Sequence, residues 1–293
     1  MISKITIVCF AASYGVALLL EVWRLMFRSP IRPAFVVGMT AAGMVAHSLY
    51  LWHRATNLAS GGLPLSSWYD WYLVAAWIVA ATYLLLSVAR PQASVGLFLL
   101  PLTLLILGVA YNFQKSASFP REQAISAWGI AHGVALLLGT VTVTLGFAAG
   151  VMYLVQSYRL KHHLPPREGF RLPSLEWLQQ ANQQMLVVST FLVALGLLAG
   201  IVLNAVRRTG SGAALPWTDS VVLTSSLLLL WLIAASTFEF LYKPAQQGRK
   251  VAYLTVASFI FLVLALGMSV WGGSQHTAPR GDNAIVTPQE TSR

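Results

Sequence analysis

Long apolar runs separated by short polar stretches repeat along the whole chain. A helix that crosses a membrane needs about 20 apolar residues, within a range of about 17–25. Eight runs meet that length, at about 5–23, 34–52, 70–89, 94–112, 127–156, 184–205, 220–241 and 251–271. No two-residue alternation of the kind that marks a strand accompanies them. The pattern predicts an all-α fold, a polytopic membrane bundle of about eight transmembrane helices over residues 1–272. The fifth run exceeds what a bilayer requires, so its helix is expected to tilt or to project beyond the lipid. Pro101 falls inside the fourth, a kink that membrane helices tolerate. Residues 273–293, rich in Gly, Ser, Thr, Pro and Gln, are expected to form a disordered external tail.

Composition narrows the class further. Of 293 residues, 57% are hydrophobic and 10% charged, with a mean hydropathy of +0.67. Too few charges remain to cover a globular surface, which excludes a soluble enzyme, a disordered regulator and a collagen-like fibre. The one cysteine, Cys9, lies within the first apolar run. That excludes an intrachain disulfide, a Cys-x-x-Cys redox pair and the Cys-x-x-Cys-His attachment of a covalent haem. The net charge of +10 reads as topology, not as a nucleic-acid surface. Eleven of the 19 Lys and Arg follow runs one, three, five and seven, against eight on the opposite side. The positive-inside rule then puts both termini of this multi-pass protein outside. The first run continues into Glu21, Trp23 and Arg24 without a small-x-small cleavage site, and reads as a retained helix.

The stretch 157–183 is the longest segment on the cytoplasmic side of this topology. It opens with Arg159, Lys161, His162 and His163, and Pro165 with Pro166 breaks the helix. Ser174 then fits an N-cap, and Leu175, Leu178 and Met185 suggest a short amphipathic entry to the sixth helix, lying at the interface. Asp70, within Trp68-Tyr69-Asp70-Trp71-Tyr72, can cap the third helix inside an interfacial aromatic belt; the sharper alternative is an aromatic platform for a flat ligand. Glu21 with Arg24, and Glu239 with Lys243, can pair along their helices. No phosphate-cradling loop, His-Glu-x-x-His pair or nucleophile elbow occurs, so neither an energised pump nor a metalloprotease is expected.

An ionisable group within a bilayer is costly unless it is paired, solvated or functional. Four of the six histidines read as solvated or interfacial: His53, His162, His163 and His276. The other two, His47 in the second run and His132 in the fifth, each lie about 8 Å below the outer end of their helix at 1.5 Å per residue. Two neutral imidazoles at matched depth could meet across the bundle and hold a haem iron axially without a covalent bond. Ala46, Ser48, Ala131 and Gly133 beside them would leave room for a flat ring. The plainer alternative is that each histidine hydrogen-bonds a neighbouring helix.

The order of motifs from the fifth run onward resembles a known family. Trp128, His132, the Gly146–Gly150 stretch and Met152-Tyr153-Leu154 look like the His-led helix of cytochrome c assembly proteins of the CcsA/CcmC type. Leu172-Pro173-Ser174-Leu175-Glu176 is similar to the segment before the next helix in that family. His47-Ser48-Leu49-Tyr50 and the eight-helix length resemble its HemX/YpjD-like branch. The resemblance covers most of the chain and is strongest over 128–205. It implies a membrane protein that handles haem during maturation of c-type cytochromes, with His47 and His132 matching family histidines. The family's Trp-rich external loop corresponds to the segment from Arg207 to Asp219, which keeps Trp217 and Asp219 but lacks the Trp-x-Trp-Asp-Pro-Lys-Glu core. The seventh helix also lacks a histidine near its inner end. These departures imply a reduced haem site.

The expectation is thus reversible haem binding, with His47 and His132 as iron ligands and Trp217 with Asp219 as the remnant of the haem-facing loop. Ligation and presentation, without covalent catalysis, would be the whole mechanism. Expected partners are the lipid bilayer, other cytochrome c assembly proteins or a tetrapyrrole-synthesis enzyme, and no nucleic acid. A different class stays open: a non-haem membrane regulator or scaffold acting on tetrapyrrole synthesis through its basic cytoplasmic loop. A solute transporter would need inverted repeats and broken helices, of which Pro101 is the one hint.

Overall fold

The structure is a computed structural model that describes residues 6–26, 32–58, 67–114, 126–164, 169–209, 216, 218–241 and 249–271. Eight helices and no strand occur among them. In chain order they are α1 (Ile7–Trp23), α2 (Arg32–Leu58), α3 (Trp68–Ala89), α4 (Gly96–Asn112), α5 (Ala127–Lys161), α6 (Leu175–Thr209), α7 (Ser220–Leu241) and α8 (Arg249–Trp271). Six of the eight are long and apolar enough to cross a membrane. The other two, α1 and α4, are apolar with 17 residues each, the lower end of the spanning range, and they pack on one another. Pro101 lies within α4 without ending it. The tail at 273–293 lies outside the described residues, as does Lys243, the expected partner of Glu239.

The order of neighbours divides the helices into two rings of four. In the first, α1 and α3 each touch both α2 and α4. In the second, α5 and α7 each touch both α6 and α8, and α6 also meets α8. Among these helices α5 is the bridge, lying against α3 and α4. Phe10, Tyr14, Leu73, Val79, Tyr83 and Leu100 fill the first ring, and Leu186, Val193, Leu228, Leu232 and Leu262 the second. Leu85, Leu105, Phe191, Leu198, Leu230 and Ile260 stand exposed around the outside, as side chains do where lipid is the solvent.

Lipid supplies no hydrophobic force between helices, so close approach of backbones must do more. The α5–α6 pair achieves it through glycine. A Cβ added at Gly139 would sit 2.9 Å from Val193, and one at Gly196 would sit 2.6 Å from Leu136. Both helices have 35 residues, a rise of about 52 Å against about 30 Å of hydrocarbon. The fifth helix is thus longer than a bilayer requires, as its apolar run indicated.

The sixth helix differs from expectation. Among the described residues the entry does not lie apart at the interface: one continuous helix runs from Leu175. Ser174 caps it as expected, its Oγ accepting from the Trp177 N–H at 3.3 Å. Leu178 and Asn182, one turn apart, are both fully buried, and Thr255 of α8 donates to Asn182 Oδ1 at 3.0 Å. A segment packed on both neighbours continues the helix instead of lying on the membrane.

We call the end where α1, α3, α5 and α7 terminate the inner end, and the opposite one the outer end. At the inner end the connection between α5 and α6 passes under the first ring. The Ser94 N–H donates to the Arg171 carbonyl at 2.7 Å, and the Arg171 N–H donates back to Ser94 Oγ at 3.2 Å. Gly169 lies so close to the Arg24 backbone that no Cβ would fit.

Candidate functional site

His47 lies inside the first ring and is fully buried. Its ring stacks on Phe10 of α1, with centroids 4.2 Å apart and planes 6° from parallel. Its Nδ1 is 3.4 Å from the Tyr14 hydroxyl, one turn further along α1. The Leu73 backbone of α3 also approaches the ring, and Nε2 is buried. Three helices thus close around this imidazole, and an aromatic ring covers one of its faces.

His132 lies in the second ring, half-buried near the outer end of α5. Its Nδ1 is 2.7 Å from the Gly196 carbonyl of α6. A carbonyl only accepts, so Nδ1 carries a proton, which in the neutral ring puts the lone pair on Nε2. Gly200, one turn further along α6, meets the Cε1–Nδ1 side of this ring: an added Cβ would lie 2.8 Å from both atoms. The neighbouring Gly133 receives the tip of the Trp71 indole from α3, 2.7 Å from where a Cβ would stand. His132 therefore sits beside the seam where α3 of the first ring meets α5 of the second.

The two histidines are not brought together. Their helices, α2 and α5, make no contact among the described residues, and α3 stands between them. Matched depth was a property of each helix alone. What lies between two helices depends on their order around the bundle, which depth does not encode. A bis-histidine haem does not fit this pair. His132 fits a single axial ligand, because a ring hydrogen-bonded through Nδ1 to a carbonyl is oriented and made more basic at Nε2. His47 is fully buried, with Phe10 stacked on one face and the Tyr14 hydroxyl at Nδ1, so its contacts are those of a packed core residue.

Asp219 has a structural role at this stage. It is buried, its Oδ1 accepts from the Val221 N–H at 2.9 Å, and its carbonyl accepts from the Leu223 N–H at 3.0 Å, which caps α7. Trp217 lies outside the described residues. The solvated reading of His162 and His163 agrees with their exposed position at the end of α5.

A second polar cluster lies at the outer ends of α2 and α3. Arg54 pairs with Asp70, and its guanidinium lies 4.7 Å above the Tyr69 ring. The Tyr69 and Tyr50 hydroxyls are 2.8 Å apart, and Ser67 Oγ donates to Asp70 Oδ2 at 2.8 Å. The sequence assigned the cap to Asp70, whereas the N-cap is Ser67, whose Oγ accepts from the Asp70 N–H at 3.3 Å; Arg54, one turn beyond Tyr50 on α2, was missed. It also missed Gly196 and Gly200. Their four-residue spacing opposite His132 was the available signal, since small residues at that spacing mark close helix contacts.

The fold defines an all-helical, multi-pass membrane protein whose rings meet at a seam carrying a half-buried histidine. The cytochrome c assembly protein family matches residues 36–276, and the chain belongs to that family. It is also similar to the cytochrome c biogenesis protein CcsA of Trieres chinensis, with 24% identity over 255 residues, covering 75% of this chain and 79% of the relative.

Proposed function

We propose that the chain serves c-type cytochrome biogenesis by binding haem at the outer part of the seam, with His132 as the one axial ligand it supplies. Family membership supports the general role. The observation that carries the residue assignment is the 2.7 Å bond from His132 Nδ1 to the Gly196 carbonyl, which orients the ring and leaves Nε2 as the basic nitrogen. Haem would supply the group to be transferred, and this chain would bind and orient it, not catalyse a bond change. His47 supports the first ring in this reading and takes no part in ligation.

Protein purified from haem-fed cells tests the proposal by its absorption spectrum. A Soret band is expected, lost in His132→Ala and retained in His47→Gln. Absence of the band, or a band unchanged in His132→Ala, overturns the haem reading. Loss of the band in both variants, with both still folded, would return His47 to the ligand set.

A further inference from the structure

Three guanidiniums gather at the inner end, where the two rings are tied together. Arg24, at the end of α1, donates to the backbone carbonyl of Gln92 in the α3–α4 turn. Arg171, from the α5–α6 connection, donates to Oε1 of the same Gln92 at 2.6 Å. Arg90, two residues before Gln92, lies 4.2 Å above the Trp177 ring of α6. Gln92 is exposed and the cluster is open to the surroundings.

Among the described residues the charges do not balance. Glu21 is the carboxylate beside them, with its Oε2 3.7 Å from Arg24 and its Oε1 accepting from the Tyr83 hydroxyl at 3.0 Å. Arg90 and Arg171 are held by an indole, an amide and backbone, all neutral. Ordinary surface arginines stay mobile or find a carboxylate; here two are fixed in place with their charge uncompensated. A fixed guanidinium with spare N–H donors suits a phosphate oxyanion. The surroundings identify which phosphate. Trp23, Leu25 and Met26 stand exposed at the end of α1, an aromatic and apolar collar of the kind found at the lipid headgroup level.

We propose that Arg24, Arg90 and Arg171 form a binding site for the phosphate of an anionic phospholipid, seated across the junction of the two rings. The headgroup adds the negative charge that the junction lacks, and it contacts both the α3–α4 turn and the α5–α6 connection. Bound lipid thus braces one ring against the other. The attraction is electrostatic and weakens with salt.

Thermal unfolding of the full-length protein in mild detergent tests this. Added phosphatidylglycerol is expected to raise the melting temperature, and phosphatidylcholine to leave it unchanged. Arg90→Gln with Arg171→Gln should abolish the difference, while Lys161→Gln, outside the cluster, should preserve it. Native mass spectrometry of the unaltered protein gives a second readout that needs no variant: phosphatidylglycerol adducts should exceed phosphatidylcholine adducts at equal supply. Equal shifts from the two lipids, a shift that survives in the double variant, or equal adducts would overturn the site. A shift reproduced by inorganic phosphate would overturn its assignment to lipid.

Discussion

The imidazole of His47 and the ring of Phe10 lie parallel, 6° apart in plane and 4.2 Å apart at their centroids, inside a ring of helices that excludes all solvent. Truncation to His47→Ala opens a cavity there, and the expected cost is about 2–4 kcal/mol. Tyr14→Phe removes a 3.4 Å contact and no volume, so about 1 kcal/mol or less is expected. Thermal unfolding in detergent separates the two. Equal losses would mean that the hydrogen bond, and not the stack, holds the site.

Two glycines offer a matched comparison. At Gly200 a new Cβ would press on His132, whereas at Gly108 nothing lies within 4 Å. Gly200→Ala should destabilise by about 1–3 kcal/mol and displace the imidazole from Gly196. Gly108→Ala should be neutral or stabilising by about 0.5–1 kcal/mol, through helix propensity alone. If the haem band follows His132, it should weaken in the first variant and persist in the second.

The Arg54–Asp70 pair is asymmetric, with side-chain exposures of 30% and 5%. Arg54→Gln leaves a buried carboxylate without its cation and is expected to cost about 1–3 kcal/mol, tempered by the partial exposure of Arg54. Adding Asp70→Asn should recover part of that loss. Unfolding of the single and double variants forms a cycle, and a strictly additive result would show that the pair contributes nothing by its interaction.

Gly169 faces backbone, not a side chain that could turn aside. Gly169→Ala must therefore push the α5–α6 connection away from Arg24, and it should lower the melting temperature clearly. Gly38→Ala, with open space around it, is the control. A melting temperature unchanged in Gly169→Ala would show that the tie between the rings is dispensable.

Much of this architecture was legible in the apolar runs, because span length is a local property of the chain. Ser174 announced its cap through side-chain chemistry that acts over one turn; at α3 the sequence pointed to Asp70, while the cap is Ser67 three residues earlier. The α6 start did not read correctly, since its polar residues suggested a surface and the burial of Asn182 beside Thr255 could not be foreseen. His47 and His132 show the same boundary from the other side. Their depths followed from counting residues, but their separation by α3 is a matter of helix order, and a single sequence carries little trace of that. The pairing of His132 with Gly196 joins residues 64 positions apart, beyond the reach of any local pattern.

The length of α5 and α6 has a consequence for how the molecule rides in its solvent. Even at a tilt of about 40°, a helix rising about 52 Å spans about 40 Å along the membrane normal, more than the hydrocarbon can cover. No rigid reorientation within that range can hide the hairpin's inner turns. Like a keel, the pair fixes the draught of the whole protein, so a stroke of the bundle that required it to sink or rise as a unit would have to drag Arg159 and Lys161 into oil.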